Sequence, residues 1–301
     1  MSRHIESLIR FCGGPITLAE YMEEVLTNPT AGYYMHRDVF GTDGDFVTSP
    51  DISQMFGEGT AQFQPFAASL SVHLVECSPA LRQLQWKAMR CSANSLTSDG
   101  STSGSTDTSQ ESSTVQRDPV PVQQAGISAI SQVPVSWHLQ LEDIPRGDPA
   151  IVIAHEFFDA LPVHQFQMTD RGWCEKLVDV AQQPRDQEFR CVLSPHPTPA
   201  VSLYLKRRLM LMSPEERRHH KQMEVCPAGM KLAVDLAKRV GEDGGAALII
   251  DYGEDHAMAD TLQAIRKHEF VDVLETPGLA DLSAYVDFEA LRQAVKSSGG
   301  K

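Results

Sequence analysis

Three short apolar runs, each followed within two residues by an acid, constrain this chain more than any other feature. They are Ser71 to Glu76 (SVHLVE), Ala150 to Ala154 (AIVIA, then His155-Glu156) and Ala246 to Ile250 (AALII, then Asp251). None shows the polar alternation of a half-exposed strand. Near-continuous apolar strands belong to parallel sheets covered on both faces, because the crossover helices lie on both sides. Before the third run, Met230, Ala233, Val234, Ala237 and Val240 recur at helical spacing, and Gly241 closes the stripe. A helix feeding a buried strand is the grammar of an α/β fold.

Local signals add further elements. Thr17-Leu18-Ala19-Glu20 reads as a capping box, in which hydroxyl and carboxylate satisfy each other's backbone N–H. Leu18, Tyr21, Met22, Val25 and Leu26 follow as an apolar stripe, and Asn28-Pro29 stops the helix. His164, Phe166 and Met168 alternate with polar residues, Asp170-Arg171-Gly172 offers a turn, and Trp173 to Val180 resumes an extended pattern. This predicts an antiparallel hairpin inserted into the α/β core. A helix is expected over Phe288 to Val295. Ser92 to Ser113 is almost free of large apolar groups; such a tract buries too little surface to offset its ordering entropy, so a disordered Ser/Thr-rich insertion is expected over 92–117.

The net charge of −14 argues against a general nucleic-acid binder, which concentrates basic surface. Lys206-Arg207-Arg208 and Arg217-Arg218-His219-His220-Lys221 are local exceptions that read as solvated faces. Six scattered cysteines with no CxxC pair point to reduced thiols rather than a disulfide framework or a zinc ribbon. No apolar run approaches the ~20 residues that span a bilayer. The N-terminal MSRHIESLIRFCGG carries Glu6 and is too short for an Arg- and Ser-rich mitochondrial presequence.

Ligands of open α/β sheets sit beyond the carboxyl ends of the strands. Glu76, at the end of the first run, is the candidate to accept hydrogen bonds from a ribose diol, although many strands end in an exposed Glu with no such role. The segment His155 to Val163 puts two carboxylates, Glu156 and Asp159, beyond a strand end, and Pro162 limits any helix there to about one turn. A guanidinium stays charged at neutral pH and its planar fork matches carboxylates, so this pair suits arginine chemistry. The same acids would equally serve to cap the start of a following helix. His155-Glu156 opens a zinc-hydrolase HExxH motif, but residue 159 is Asp and Pro162 denies the long helix that motif needs, so no metal is expected. Gly57-Glu58-Gly59 reads as a turn without a persuasive strand before it.

Several blocks, in order, resemble one family. They are GPITLAEYMEEVLTNPTAGYYMHRDVFGTDGDFVTSPDISQMFGE (residues 14–58), SVHLVECSPALRQLQ, AHEFFDALPVHQF, GWCEKLVDV, GGAALIIDYGED and DLSAYVDFEALR. The chain is similar to the MidA-type mitochondrial protein-arginine methyltransferases that assist complex I assembly. The resemblance implies a Rossmann-like methyltransferase core, as a single domain over 1–301, with S-adenosylmethionine as methyl donor. It implies Glu76, Thr48 and Ser49 as cofactor-binding residues and Glu156 and Asp159 as catalytic ones. It implies symmetric dimethylation of an arginine in the 49-kDa-type core subunit of complex I, and residence in the mitochondrial matrix.

The family's Gly-rich turn after its first strand is absent: residues 59–70 (GTAQFQPFAASL) stand in its place, and the family continues beyond the VDF block. The core is therefore expected to be an incomplete, shortened form that binds the donor weakly, because that turn brings backbone amides close to the cofactor. The alternative is a non-catalytic complex I assembly protein.

Overall fold

A computed structural model describes residues 1–36, 69–93, 124–182 and 188–299. The chain divides into two compact units, Met1–Val47 with Arg146–Lys301, and Thr48–Pro145.

In the larger unit, helix α1 (Ser2–Phe11) buries Ile5 and Ile9, one turn apart. Strand β1 (Ile16–Thr17) leads directly into α2 (Leu18–Thr27). The capping box is formed: the Thr17 hydroxyl accepts from the Glu20 N–H at 3.1 Å, and the Glu20 carboxylate accepts from the Thr17 N–H at 2.7 Å. Asn28 ends the helix with extended geometry, as a residue before proline prefers. Tyr21, Met22, Val25 and Leu26 pack into a core with Ile5, Val178, Phe189 and Leu282. Each such side chain contributes about 1.5–3 kcal/mol of hydrophobic stabilisation.

The expected hairpin is β7 (His164–Thr169) with β8 (Gly172–Val180), joined where Gly172 takes a φ of +95°. It is more than an insertion. β10 (Gln222–Val225) pairs with β7, while β1 and β9 (Phe189–Leu193) pair with β8, giving a five-stranded antiparallel sheet.

The second and third apolar runs form a parallel pair, β6 (Ala150–His155) and β11 (Gly245–Ile250), in register from Ala150 opposite Gly245 to His155 opposite Ile250. The expectation of cover on both faces is corrected. Ile151, Ile153 and Leu248, on one face, are 70%, 60% and 54% exposed. Among the described residues β6 has only β11 as a ladder neighbour, so the pair lacks the flanking strands that would extend a covered sheet.

A helix also corrects its predicted end. It spans Pro227–Asp243, running through Gly241, and stops at Gly244, whose φ of +87° is a left-handed conformation that glycine adopts without steric cost. Gly245 continues at +105°, where a side chain would meet the Ala150 carbonyl.

Two shorter helices precede it, α4 (Lys206–Leu211), entered from a π-turn at Val201–Leu205, and α5 (Pro214–His219); the longer helix is thus α6. Arg208 of α4 corrects the solvated reading of its basic run. It is 1% exposed and bound to Asp287, Glu289 and Gln293. β12 (Gly253–Glu254) pairs parallel with β16 (Val286–Asp287), and β13 (Gln263–Arg266) lies between β14 (Glu269–Val271) and β15 (Asp281–Ser283). The last helix, α7 (Phe288–Ser297), is capped by Asp287, which accepts from the Ala290 N–H at 2.8 Å.

In the smaller unit, β2 (Val72–Val75) runs parallel to β5 (Pro134–His138), and β4 (Gln124–Ser128) pairs antiparallel with both β5 and β3 (Cys91–Ala93). α3 (Pro79–Ala88) starts at Ser78, whose hydroxyl accepts from the Leu81 N–H. Trp137 is fully buried beside Trp86. The low-complexity tract, apart from its first residues in β3, lies outside the described residues, as do residues 37–58 of the N-terminal block. No cysteine among the described residues is in a disulfide. No helix among the described residues is long and apolar enough to cross a membrane.

Candidate active site

The parallel pairing of β6 and β11 brings two acidic strand ends side by side. The backbone ladder extends one step beyond the strands, where the Glu156 N–H donates to the Ile250 carbonyl at 2.9 Å. Glu156 sits at a φ of +47°. A left-handed non-glycine residue costs on the order of 1 kcal/mol and persists only where its surroundings enforce it. Residues 156–163 contain no helix, so Glu156 and Asp159 are not helix-capping acids.

Asp159 is partly buried, and Asp251, Asp281 and Glu156 lie near it. Burial foremost, then those three carboxylates, pushes its carboxyl up to about 8. Asp251 follows β11, and its Oδ2 accepts from the N–H groups of Phe157, Phe158 and Asp159. Burial raises the Asp251 carboxyl, while these N–H donors and that of Tyr252 pull it back down. The Tyr34 hydroxyl donates to Asp281 at 2.6 Å, and burial with that carboxylate lifts the phenol well above its ordinary range. The Tyr252 hydroxyl donates to Glu156 at 3.4 Å, and His155 Nε2 lies 3.7 Å from the same carboxylate oxygen. The result is a half-buried anionic site that already holds a proton. It suits a cation with several N–H donors.

That proton has a consequence for stability. The unfolded chain releases it near pH 3.8, the folded chain near 8. Asp159 therefore contributes stability that is fully present below the lower value and lost as pH rises through the upper one. Asp159→Asn has no proton to lose. Its advantage over the parent should grow from about pH 4 and level off above about pH 8, reaching on the order of 6 kcal/mol. Thermal melts of both proteins at pH 5, 7 and 9 test this; a constant difference across the series would refute it.

Glu76 follows β2 in the smaller unit, at the carboxyl end of the β2–β5 pair, and its N–H donates to the His138 carbonyl at 2.9 Å. One carboxylate oxygen accepts from the Ser78 N–H at 2.8 Å, the other from Gln85 Nε2 at 3.3 Å. Gln85 is in turn fixed by Trp137 Nε1, which donates to its side-chain oxygen at 2.8 Å. Burial raises the Glu76 carboxyl, partly offset by the Ser78 N–H and Gln85. The Cys77 N–H also acts on this carboxylate, so of its roughly four acceptor sites about one remains for a sugar hydroxyl. The residues present fit the ribose of an adenosyl cofactor. Thr48 and Ser49 lie outside the described residues.

Sequence reasoning found Glu76, Glu156 and Asp159 as acids beyond apolar runs. It noted Asp251 in the same position but gave it no role, although strand pairing was its signal. Asp281 and Tyr34 carried no local signal.

A family model described as a putative S-adenosyl-L-methionine-dependent methyltransferase matches residues 54–301. The mouse mitochondrial protein arginine methyltransferase NDUFAF7 is 41% identical over 97% of this chain and 69% of its own length. The human protein of that name is 39% identical over 97% and 68%, and the fruit-fly homologue 39% over 95% and 68%. The mouse alignment extends over 313 positions against 301 residues here, so the mouse protein carries residues within the matched span that have no counterpart in this chain. In fold, the chain is similar to a Burkholderia thailandensis protein solved with S-adenosyl-homocysteine bound, at a TM-score of 0.64 and 21% identity, covering 99% of this chain and 76% of that one. The chain belongs to the S-adenosyl-L-methionine-dependent methyltransferase family that includes the mitochondrial NDUFAF7 protein arginine methyltransferases.

Proposed function

We propose that this chain is a mitochondrial protein-arginine N-methyltransferase, acting on an arginine of the 49-kDa-type core subunit of complex I in support of complex I assembly. The observation that carries the reading is the juxtaposition of Glu156 and the partly buried Asp159 beyond β6. When bound, S-adenosylmethionine supplies an electrophilic methyl group on a sulfonium. Glu76 would hold a ribose hydroxyl. Glu156 and Asp159 bind the guanidinium fork and fix which nitrogen is presented, so that catalysis comes mainly from orientation and electrostatics. An arriving cation favours the ionised form of Asp159, so substrate binding releases the proton. The carboxylate can then take back the proton that the substituted nitrogen sheds.

The test is incubation with S-adenosylmethionine and the complex I subunit, followed by mass spectrometry. Symmetric dimethylarginine is expected, and none on a substrate with Lys in place of the target Arg. No transfer at millimolar donor would overturn the enzymatic reading and leave a binding protein. Residues 59–70 contain a single glycine, so calorimetry should show donor binding weaker than micromolar. Micromolar affinity would overturn that expectation alone.

A further inference from the structure

Asp251 lies near Asp159 and, through its carboxylate, also organises the loop that carries both acids. Its Oδ2 accepts from three consecutive amides, at 3.1 Å from Phe157, 2.8 Å from Phe158 and 3.3 Å from Asp159, and its Oδ1 accepts from the Tyr252 N–H at 2.9 Å. Three amides converging on one oxygen is the usual arrangement at a helix start, but no helix begins here. The chain instead makes a turn, closed by the Leu161 N–H on the Phe158 carbonyl and tied outward by the Ala284 N–H on the Asp159 carbonyl. The four amides of residues 156–159 thus all point at β11 or the residue after it. Their acceptors are the Ile250 carbonyl and the Asp251 carboxylate.

This explains how Glu156 stays at a left-handed φ. The loop cannot relax to an extended conformation without unpairing all three donors, two of them, the Phe158 and Asp159 N–H groups, in partly buried positions. We infer that Asp251 is a positioning residue for the arginine substrate: its carboxylate acts as a template for the 157–159 backbone and so sets Glu156 and Asp159 in the geometry that receives a guanidinium. The inference rests on the arginine reading of the site. It differs from a role in charge, because a template needs an acceptor atom at Oδ2 rather than a net negative charge.

The experiment compares the full chain with Asp251→Ala and Asp251→Asn by two measurements. Amide hydrogen exchange of a peptide covering 157–161 reads the loop without reference to activity. Steady-state methylation of the arginine substrate at saturating donor reads KM and kcat. For the Ala variant we expect exchange at least tenfold faster in that peptide and KM raised tenfold or more, with kcat less affected. The Asn variant keeps a carbonyl oxygen for the three amides and should recover most of both losses.

Unchanged exchange in the Ala variant, or a KM within twofold of the parent, would overturn the proposal. So would an Asn variant as damaged as the Ala variant, which would assign the role to charge. If the Ala variant does not fold, Asp251→Ser, with a shorter hydroxyl acceptor, is read by the same measurements and limits. Glu156→Gln run alongside separates the two levels. Arginine transfer unaffected by Glu156→Gln counts against the arginine reading. Transfer abolished there, with Asp251→Ala normal, counts against Asp251 alone.

Discussion

Glu156→Gln should lower kcat/KM for arginine methylation by about a hundredfold, and Asp159→Asn by a similar factor, in enzymes that remain folded. Each substitution preserves shape and removes a carboxylate that a guanidinium would meet, and charge-assisted pairs are about twice as strong as neutral ones. Losing one preorganised electrostatic contact typically costs about 10²–10³ in rate. The two variants should differ in pH response. Binding a cation requires Asp159 to give up the proton it holds up to about pH 8. Parent KM should therefore fall as pH rises from 6 to 8 and then level, whereas Asp159→Asn should show a flat, elevated KM over that range. Because Asp159→Asn is expected to be at least as stable as the parent, lost activity there cannot be ascribed to unfolding. Near-normal turnover by both variants would remove this loop from the chemistry.

Arg208→Met should be the most damaging single change to stability, at about 3–5 kcal/mol, the usual cost of deleting one partner of a buried ion pair. The guanidinium is 1% exposed. Its Nε donates to Asp287 at 3.0 Å, Nη2 to Glu289 at 2.6 Å and Nη1 to Gln293 at 3.2 Å. Burial raises the Asp287 carboxyl and Arg208 is the largest influence pulling it down. Without Arg208 two carboxylates face each other with no cation, at the residue that also caps α7. Arg208→Lys should recover only part of the loss, since an ammonium cannot reproduce the planar fork. A shift in the urea midpoint at unchanged slope would record the effect. A loss under about 1 kcal/mol would show that the site repacks around a methionine.

How much of this was legible depended on distance along the chain. Helix α2 was, because its box, stripe and Asn28-Pro29 stop are all local. The hairpin was too, since Gly172 marks the turn between two extended patterns. The end of α6 was misplaced by three residues because Gly241 weakens a helix without ending it, whereas Gly244 and Gly245 adopt conformations that must end it. Arg208 read as solvated because a basic run carries no mark of the carboxylates that will cover it. In the site, Glu156 and Asp159 were visible as acids beyond an apolar run. The raised Asp159 carboxyl was not, because Asp251 and Asp281 come from distant segments.

The sequence by itself determined the α/β class, the apolar strands and the acids that follow them, because period, capping and turn chemistry act between near neighbours. The tertiary structure alone decided that β6 and β11 end in register, that Asp251 holds the loop beyond β6, and that Asp159 keeps a proton near neutral pH. These depend on burial and on the separation of charges brought together from remote positions, and neither quantity exists until the chain has folded.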